Sequence, residues 1–95
     1  MRKRVKEKDM PTISMFYGIA IRMYFDDHRR PHFHAYSGGD DASISIDTLE
    51  VLEGKLSRRT LALVLEWASE HRPELRENWA RCESHQQLKK IDPLI

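Results

Sequence analysis

The chain has 95 residues, of which 40% are hydrophobic and 33% are charged, and its formal net charge is +1. This near balance of charge excludes a global electric field that would draw the protein to nucleic acid or to an anionic membrane surface. The single cysteine, Cys82, excludes an intramolecular disulfide, and no apolar run is long enough to span a bilayer. We therefore expect a small cytoplasmic globular protein that has no membrane partner.

The first nine residues differ from the rest of the chain in charge. Residues 1–9 contain five basic and two acidic side chains, which gives this segment a local net charge of +3. The segment has no apolar periodicity, so we expect a flexible basic extension ahead of a single α+β domain over residues 10–95. A nucleic-acid-binding arm is the alternative hypothesis for the extension.

The first strand is predicted within residues 12–25. Apolar and polar side chains alternate over residues 19–25, which is the period-two pattern of a half-buried strand. The preceding run over residues 12–18 is also apolar. We interpret Gly18 as a bulge or bend within one long strand.

Further strands follow a predicted turn over residues 26–31. The alternation of polar and apolar side chains predicts a second strand over residues 32–36 and a third over residues 42–47. Residues 49–52 predict a short fourth strand that is closed by Gly54. Acidic residues cluster in this region without a base among them, which indicates a solvated sheet edge. These residues are Asp40, Asp41, Asp47, Glu50 and Glu53.

The second half of the chain predicts two helices. Ser57 is suited to an N-cap, and residues 58–70 repeat apolar side chains at helical spacing. Pro73 can occupy the first position of a second helix. The apolar side of this helix is formed by Leu75, Trp79 and Cys82. Residues 91–94 are expected to be extended and to pack back onto the domain. The fold class is therefore α+β, with an antiparallel sheet of three to four strands followed by C-terminal helices packed on one face.

Three histidines, His28, His32 and His34, fall within seven residues. On a strand His32 and His34 project to the same face, and His28 lies in the preceding turn. This spacing can supply three imidazole ligands to zinc or to another divalent cation. The alternative is that His32 and His34 face solvent or support the turn through hydrogen bonds.

A hypothesis without metal uses the same face. If the first two strands pair antiparallel, the parity of the pleat places Arg22 and Tyr24 beside His32 and His34. The two histidines could then act as acid and base, Arg22 could hold a phosphate, and Tyr24 could orient the substrate. This set suits a metal-independent ribonuclease that cleaves through the ribose 2′-hydroxyl. The alternative is a half-polar sheet face that docks a protein partner or a second copy of the chain.

A set of short segments occurs together in one known family. They are residues 11–13 (Pro-Thr-Ile), 16–19 (Phe-Tyr-Gly-Ile), His28, 31–35 (Pro-His-Phe-His-Ala), 44–46, Gly54 with Leu56, 66–67 (Glu-Trp) and 78–79 (Asn-Trp). Over about residues 10–95 the chain resembles the small bacterial proteins grouped as domain of unknown function 4160. The most recognisable element is the H-x-x-P-H-F-H-A run over residues 28–35, in which Arg30 stands where a second proline is often found.

The resemblance implies a partner but assigns no catalytic residue. Members of the family are often encoded beside a second small protein, in an arrangement similar to toxin–antitoxin pairs. The resemblance therefore implies a small protein partner encoded nearby, with RNA or DNA as a further target and a homo-oligomer as an open alternative. The expected function is one component of a toxin–antitoxin-like two-protein module that acts through the histidine motif.

Overall fold

The computed structural model describes residues 10–25 and 29–95 of the chain. The basic extension expected over residues 1–9 lies outside the described residues. Residues 26–28 also lie outside them, and His28 is one of these.

Five strands precede two helices along the chain. The elements are β1 (Thr12–Phe16), β2 (Ile19–Arg22), β3 (His32–Ser37), β4 (Asp40–Ser45), β5 (Val51–Lys55), α1 (Arg58–Glu70) and α2 (Arg72–Glu83). The strands form one sheet in the order β1-β2-β3-β4-β5, and each neighbouring pair is antiparallel. The predicted α+β fold, with C-terminal helices after an antiparallel sheet, is confirmed. Among the described residues, neither helix is long and apolar enough to cross a membrane.

The sheet has five strands instead of three to four because the long first strand is a hairpin. Tyr17 and Gly18 both have positive φ values, 51° and 76°. Two consecutive positive φ values form the tight two-residue turn that joins antiparallel strands. Phe16 consequently pairs with Ile19 across the turn. Gly18 therefore reverses the chain instead of bending one strand.

The last strand begins later than its sequence pattern indicates. Leu49 has a φ of 64°, and its backbone N–H donates to the carbonyl oxygen of Ser45 at 2.8 Å. This turn takes up the start of the predicted strand, so β5 begins at Val51. Gly54 does not close the strand, because it lies inside β5 and pairs with Ala42.

The core lies between one face of the sheet and the two helices. The inward-facing apolar residues of β2, β3 and β4 are fully buried, and they pack in one cluster with the buried sides of α1 and α2. Trp67 of α1 occupies the centre, with its ring centroid 5.4 Å from that of Phe16 and 6.0 Å from that of Phe33. The Ser57 hydroxyl caps α1 by accepting from the Thr60 N–H at 3.1 Å. The helix therefore has the predicted bounds.

The C-terminal segment packs back onto the domain as predicted. The Ile91 N–H donates to the carbonyl oxygen of Ile13 at 2.8 Å, and the Trp67 indole N–H donates to that of Asp92 at 2.8 Å. Asn78 makes two hydrogen bonds of 2.9 Å to the backbone of Lys89. These bonds attach residues 89–92 to β1 and to both helices.

Candidate functional site: the histidine face of the sheet

The sheet face that points away from the core carries the polar residues singled out by the sequence. Arg22 of β2 pairs with His34 of β3, and His34 pairs with Ser43 of β4. Paired residues point to the same side of a sheet, so these three side chains form one row across the strands. We call this surface the histidine face. It consists of Arg22, Tyr24, His32, His34, Tyr36 and Ser43.

The histidine face is a connected cluster of rings with one guanidinium. The His34 ring is stacked between Tyr24, at a centroid distance of 4.9 Å, and Tyr36, at 6.2 Å. The His32 ring meets the His34 ring edge-on at 5.1 Å. The guanidinium carbon of Arg22 lies 5.4 Å from the Tyr36 ring centroid, which is within range of a cation–π interaction. The structure thus brings Arg22 and Tyr24 to the side of the two histidines, as the pleat implied.

His32 is held as a structural support at the end of the face. The residue is only 2% exposed, and its ring lies 5.2 Å from the ring of Trp79 in α2. Its Nδ1 lies 2.7 Å from the carbonyl oxygen of Arg30. A carbonyl oxygen can only accept, so Nδ1–H is the donor. His32 therefore fixes the segment that enters β3, in agreement with the supporting role considered for it.

His34 is neutral at physiological pH. Burial lowers the pKa of its imidazole to about 4, and the neighbouring His32 lowers it further. Asp41 and Glu53 raise the pKa, and Arg29 lowers it, but these effects do not outweigh burial. The ring is consequently a hydrogen-bonding group without charge at pH 7.

We expect the protein to lose stability on acidification, because folding makes the His34 imidazole harder to protonate. In the unfolded chain its pKa is the ordinary histidine value of 6.5, against about 4 in the folded protein. Between about pH 4 and pH 6.5 the unfolded state binds more protons at His34 than the folded state does. The free energy of unfolding therefore has its full value above about pH 6.5 and decreases as the pH falls towards 4. We expect a loss of about 1–2 kcal/mol, because the ring retains some contact with solvent.

Urea denaturation measured from pH 4 to pH 7.5 checks this expectation, with His34→Gln as the matched variant. Glutamine keeps polar atoms at the position but does not titrate in this range. The difference in unfolding free energy between wild type and variant should therefore change with pH. Parallel curves for the two proteins would show that His34 does not contribute.

Three polar atoms of the central row are buried without a partner. Among the described residues, Arg22 Nε, His34 Nε2 and Ser43 Oγ have no hydrogen bond and almost no contact with solvent. More than nine in ten buried polar groups of native proteins are hydrogen-bonded, so unpartnered ones call for an explanation. Ser43 itself is 4% exposed. The three residues are paired across β2, β3 and β4, so the unpartnered atoms belong to a single row.

Basic and acidic side chains are mixed around the row. Arg29 forms an ion pair with Glu53 at 2.6 Å, and this hydrogen bond lowers the pKa of the Glu53 carboxyl. Asp41 lies opposite Lys55 in the register of β4 and β5. The described part of the chain places no carboxylate within ion-pair distance of Arg22. The histidine face is therefore close to electrically neutral, and the Arg22 guanidinium has no carboxylate partner among the described residues.

The zinc hypothesis requires His28, which lies outside the described residues. Within residues 10–25 and 29–95, no group of three or more His, Cys, Asp or Glu side chains could hold a metal ion. His34 Nε2 has no partner and is chemically suited to a metal. Arg22 is paired with His34, however, and its positive charge opposes a cation there. Metal binding by His28, His32 and His34 stays a prediction.

Ser43 is the residue of the row that the sequence did not single out. A serine in an alternating strand carries no special signal, and only the β3–β4 register shows that it lies opposite His34.

Cys82 offers no rival site. Burial raises the pKa of its thiol to about 11, so it is protonated and unreactive at neutral pH.

A family model matches the central part of the chain. The family model described as domain of unknown function (DUF4160) matches residues 18–80, which include β2 to α1 and most of α2. The matched segment contains every residue of the histidine face. No curated protein and no solved structure matches the chain.

Proposed function

This chain belongs to the family described as domain of unknown function (DUF4160), and from that premise we propose that it binds a small protein partner through the histidine face. In this proposal the chain is one component of a toxin–antitoxin-like two-protein module. The single cysteine is in keeping with a reducing compartment, and we place the module in the cytoplasm.

One observation carries the proposal. Arg22 Nε, His34 Nε2 and Ser43 Oγ belong to residues paired across adjacent strands, and all three atoms are buried without hydrogen-bond partners. A buried donor or acceptor without a partner lowers stability by about 1–3 kcal/mol, and a bound partner that hydrogen-bonds to it recovers this loss. Aromatic and arginine side chains surround the row, and these residue types are enriched where proteins bind one another.

The charge on the face favours a protein over a nucleic acid. Affinity for nucleic acid depends on several Lys or Arg side chains that neutralise phosphates. Here Arg29 is paired with Glu53, and Lys55 lies opposite Asp41 in the β4–β5 register, so acids are interspersed with the cations. A protein partner tolerates this mixed surface, since protein interfaces combine both signs of charge.

Two features favour binding over acid–base catalysis by the histidines. The His32 ring is 2% exposed and its Nδ1–H is bonded to the Arg30 carbonyl, so this ring offers little access to a substrate. The pKa of His34 is about 4, whereas a general acid or base works best with a pKa near the operating pH. Cleavage of RNA by His32 and His34, with Arg22 and Tyr24, is the alternative hypothesis.

Removal of the Tyr36 ring is expected to weaken the partner complex by about 30-fold or more. Tyr36 covers the row by its contacts with His34 and Arg22. The chain is co-expressed with the product of the adjacent gene, and binding of the purified proteins is measured by titration calorimetry. Wild type is compared with Tyr36→Ala.

Tyr17→Asn is the control for this experiment. Tyr17 is 64% exposed in the β1–β2 turn, away from the row, and asparagine tolerates its positive φ. We expect the control to bind as wild type does. Equal binding by Tyr36→Ala and wild type would contradict the proposal. RNA cleavage by the purified chain alone, lost in His34→Gln, would favour the ribonuclease alternative.

A further inference from the structure

Arg22 differs from the other charged residues of the sheet surface. Its side chain is half-buried, its guanidinium lies 5.4 Å from the Tyr36 ring centroid, and its Nε is buried without a hydrogen bond. Burial of a cation is unfavourable unless a counter-charge and hydrogen bonds compensate for the lost water. In the described part of the chain no carboxylate provides this compensation.

The other two unpartnered atoms complete a set suited to an acceptor group. Arg22 Nε–H and the Ser43 hydroxyl can both donate, and His34 Nε2 can donate in one of its neutral tautomers. A carboxylate accepts up to about four hydrogen bonds and pairs with a guanidinium in a planar two-bond geometry. The row therefore offers donors from three adjacent strands to a single carboxylate.

We propose that Arg22, His34 and Ser43 form a carboxylate-binding subsite, and that the protein partner inserts an Asp or Glu side chain into it. The inference rests on the proposed function and names the chemistry by which the partner is recognised. Glu53 lies at the far end of the same row, about 10 Å from His34 at a strand spacing of about 4.8 Å. It is bound by Arg29 and does not pair with Arg22.

A carboxylate fits this subsite better than the phosphates of a nucleic acid. The subsite supplies one unmatched positive charge, and a side-chain carboxylate carries one negative charge. A polyanion needs several unmatched cations to bind its phosphates, whereas Arg29 beside the row is already held by Glu53. The surface therefore favours an isolated acidic side chain.

The test uses the complex with the adjacent gene product and three variants of this chain. Arg22→Met retains an unbranched apolar stem but removes the charge and the donors, and we expect binding to weaken by about 30-fold or more. Arg22→Lys keeps the charge without the planar geometry, so its loss should be intermediate. Ser43→Ala should weaken binding several-fold, while the free chain unfolds at the same temperature as wild type or at a higher one, because an unpartnered hydroxyl is removed.

Arg59→Met is the matched control, because Arg59 is exposed in the first turn of α1. It should bind as wild type does. The partner's acid is then identified by Arg22→Glu combined with single Asp→Arg or Glu→Arg substitutions in the partner. One combination should restore binding that Arg22→Glu has lost. Circular dichroism and melting temperature verify that each variant folds. If Arg22→Met does not fold, the subsite is tested by Arg22→Lys and by the charge-reversal pair.

The outcomes separate this inference from the proposed function. If Arg22→Met binds as wild type while Tyr36→Ala does not, the carboxylate subsite is wrong and the proposed function stands. If both variants bind as wild type, or if wild type forms no complex, both are wrong. A short oligouridine RNA serves as the second probe. Tight RNA binding that depends on Arg22 would overturn the carboxylate in favour of phosphate.

Discussion

Substitution of Trp67 by alanine is expected to lower the free energy of unfolding by about 3–5 kcal/mol. Trp67 is fully buried, and its ring lies between Phe16 and Phe33 on the sheet and 5.5 Å from the ring of His71. Its indole N–H also holds the carbonyl oxygen of Asp92 at 2.8 Å. A chain of this length is stable by about 5–14 kcal/mol in total, so the loss is a large share of its stability.

Urea denaturation followed by far-ultraviolet circular dichroism measures this loss. Trp67→Phe fills most of the same space but removes the indole donor, and we expect it to lose about 1–2 kcal/mol. Met15→Ala is the surface control, because Met15 is 60% exposed, and its change should stay within about 0.5 kcal/mol. Equal losses for Trp67→Ala and Trp67→Phe would show that the core closes around the cavity.

Substitution of Gly54 by alanine is the second large effect, with an expected loss of about 2–4 kcal/mol. Gly54 has a φ of 77°, a conformation that L-residues with a side chain rarely adopt. An added Cβ would also overlap the carbonyl oxygen of Asp41 and would lie 3.0 Å from the Cα of Ala42. Both neighbours are backbone atoms of β4, so no change of side-chain rotamer can relieve the overlap.

Two other glycines separate the effect of overlap from that of φ. Gly18 has a φ of 76° but no atom within 4 Å of its added Cβ, so Gly18→Ala should lose only about 1 kcal/mol. Gly39 has neither constraint, and Gly39→Ala should be neutral or stabilising by up to about 1 kcal/mol. The same urea denaturation applies to all three variants. A loss at Gly54 no larger than at Gly18 would mean that β5 shifts away from β4 without loss of stability.

The helices were the most predictable part of the fold because their signals are local. Ser57 and the apolar spacing that follows it lie within a few residues of each other, and α1 spans Arg58–Glu70 as expected. Pro73 was expected at the first helical position, and α2 begins one residue earlier, at Arg72. Such patterns act through the helix itself and depend little on the rest of the chain.

The β1–β2 hairpin was not predictable from the same kind of signal. Two-residue turns of this type favour Asn-Gly or Asp-Gly, and here Tyr17 adopts a positive φ at the first turn position. The apolar run on both sides also has the appearance of one long strand. Phe16 beside the turn packs against Trp67 of α1, and this contact, which stabilises the hairpin, is tertiary.

The candidate site was predictable in membership but not in environment. Pleat parity alone places Arg22 and Tyr24 with His32 and His34. It does not show that His32 is buried against Trp79 of α2 while His34 lies between two tyrosines. It also does not identify Ser43, because the relative position of β3 and β4 is set by the turn between them. These features depend on contacts between elements.

The C-terminal segment has a consequence for the order of folding. The meander places each strand beside the next one along the chain, so the sheet can form from contacts that are short in sequence. Residues 89–92, in contrast, bind β1 and the helices, and Lys90 contacts the Thr12 carbonyl across 78 positions of sequence. During synthesis on the ribosome, the open edge of β1 therefore stays uncovered until residues 89–92 have emerged. In that interval β1 presents unpaired backbone groups to other chains, and the hydrogen bond from Ile91 then covers the Ile13 carbonyl.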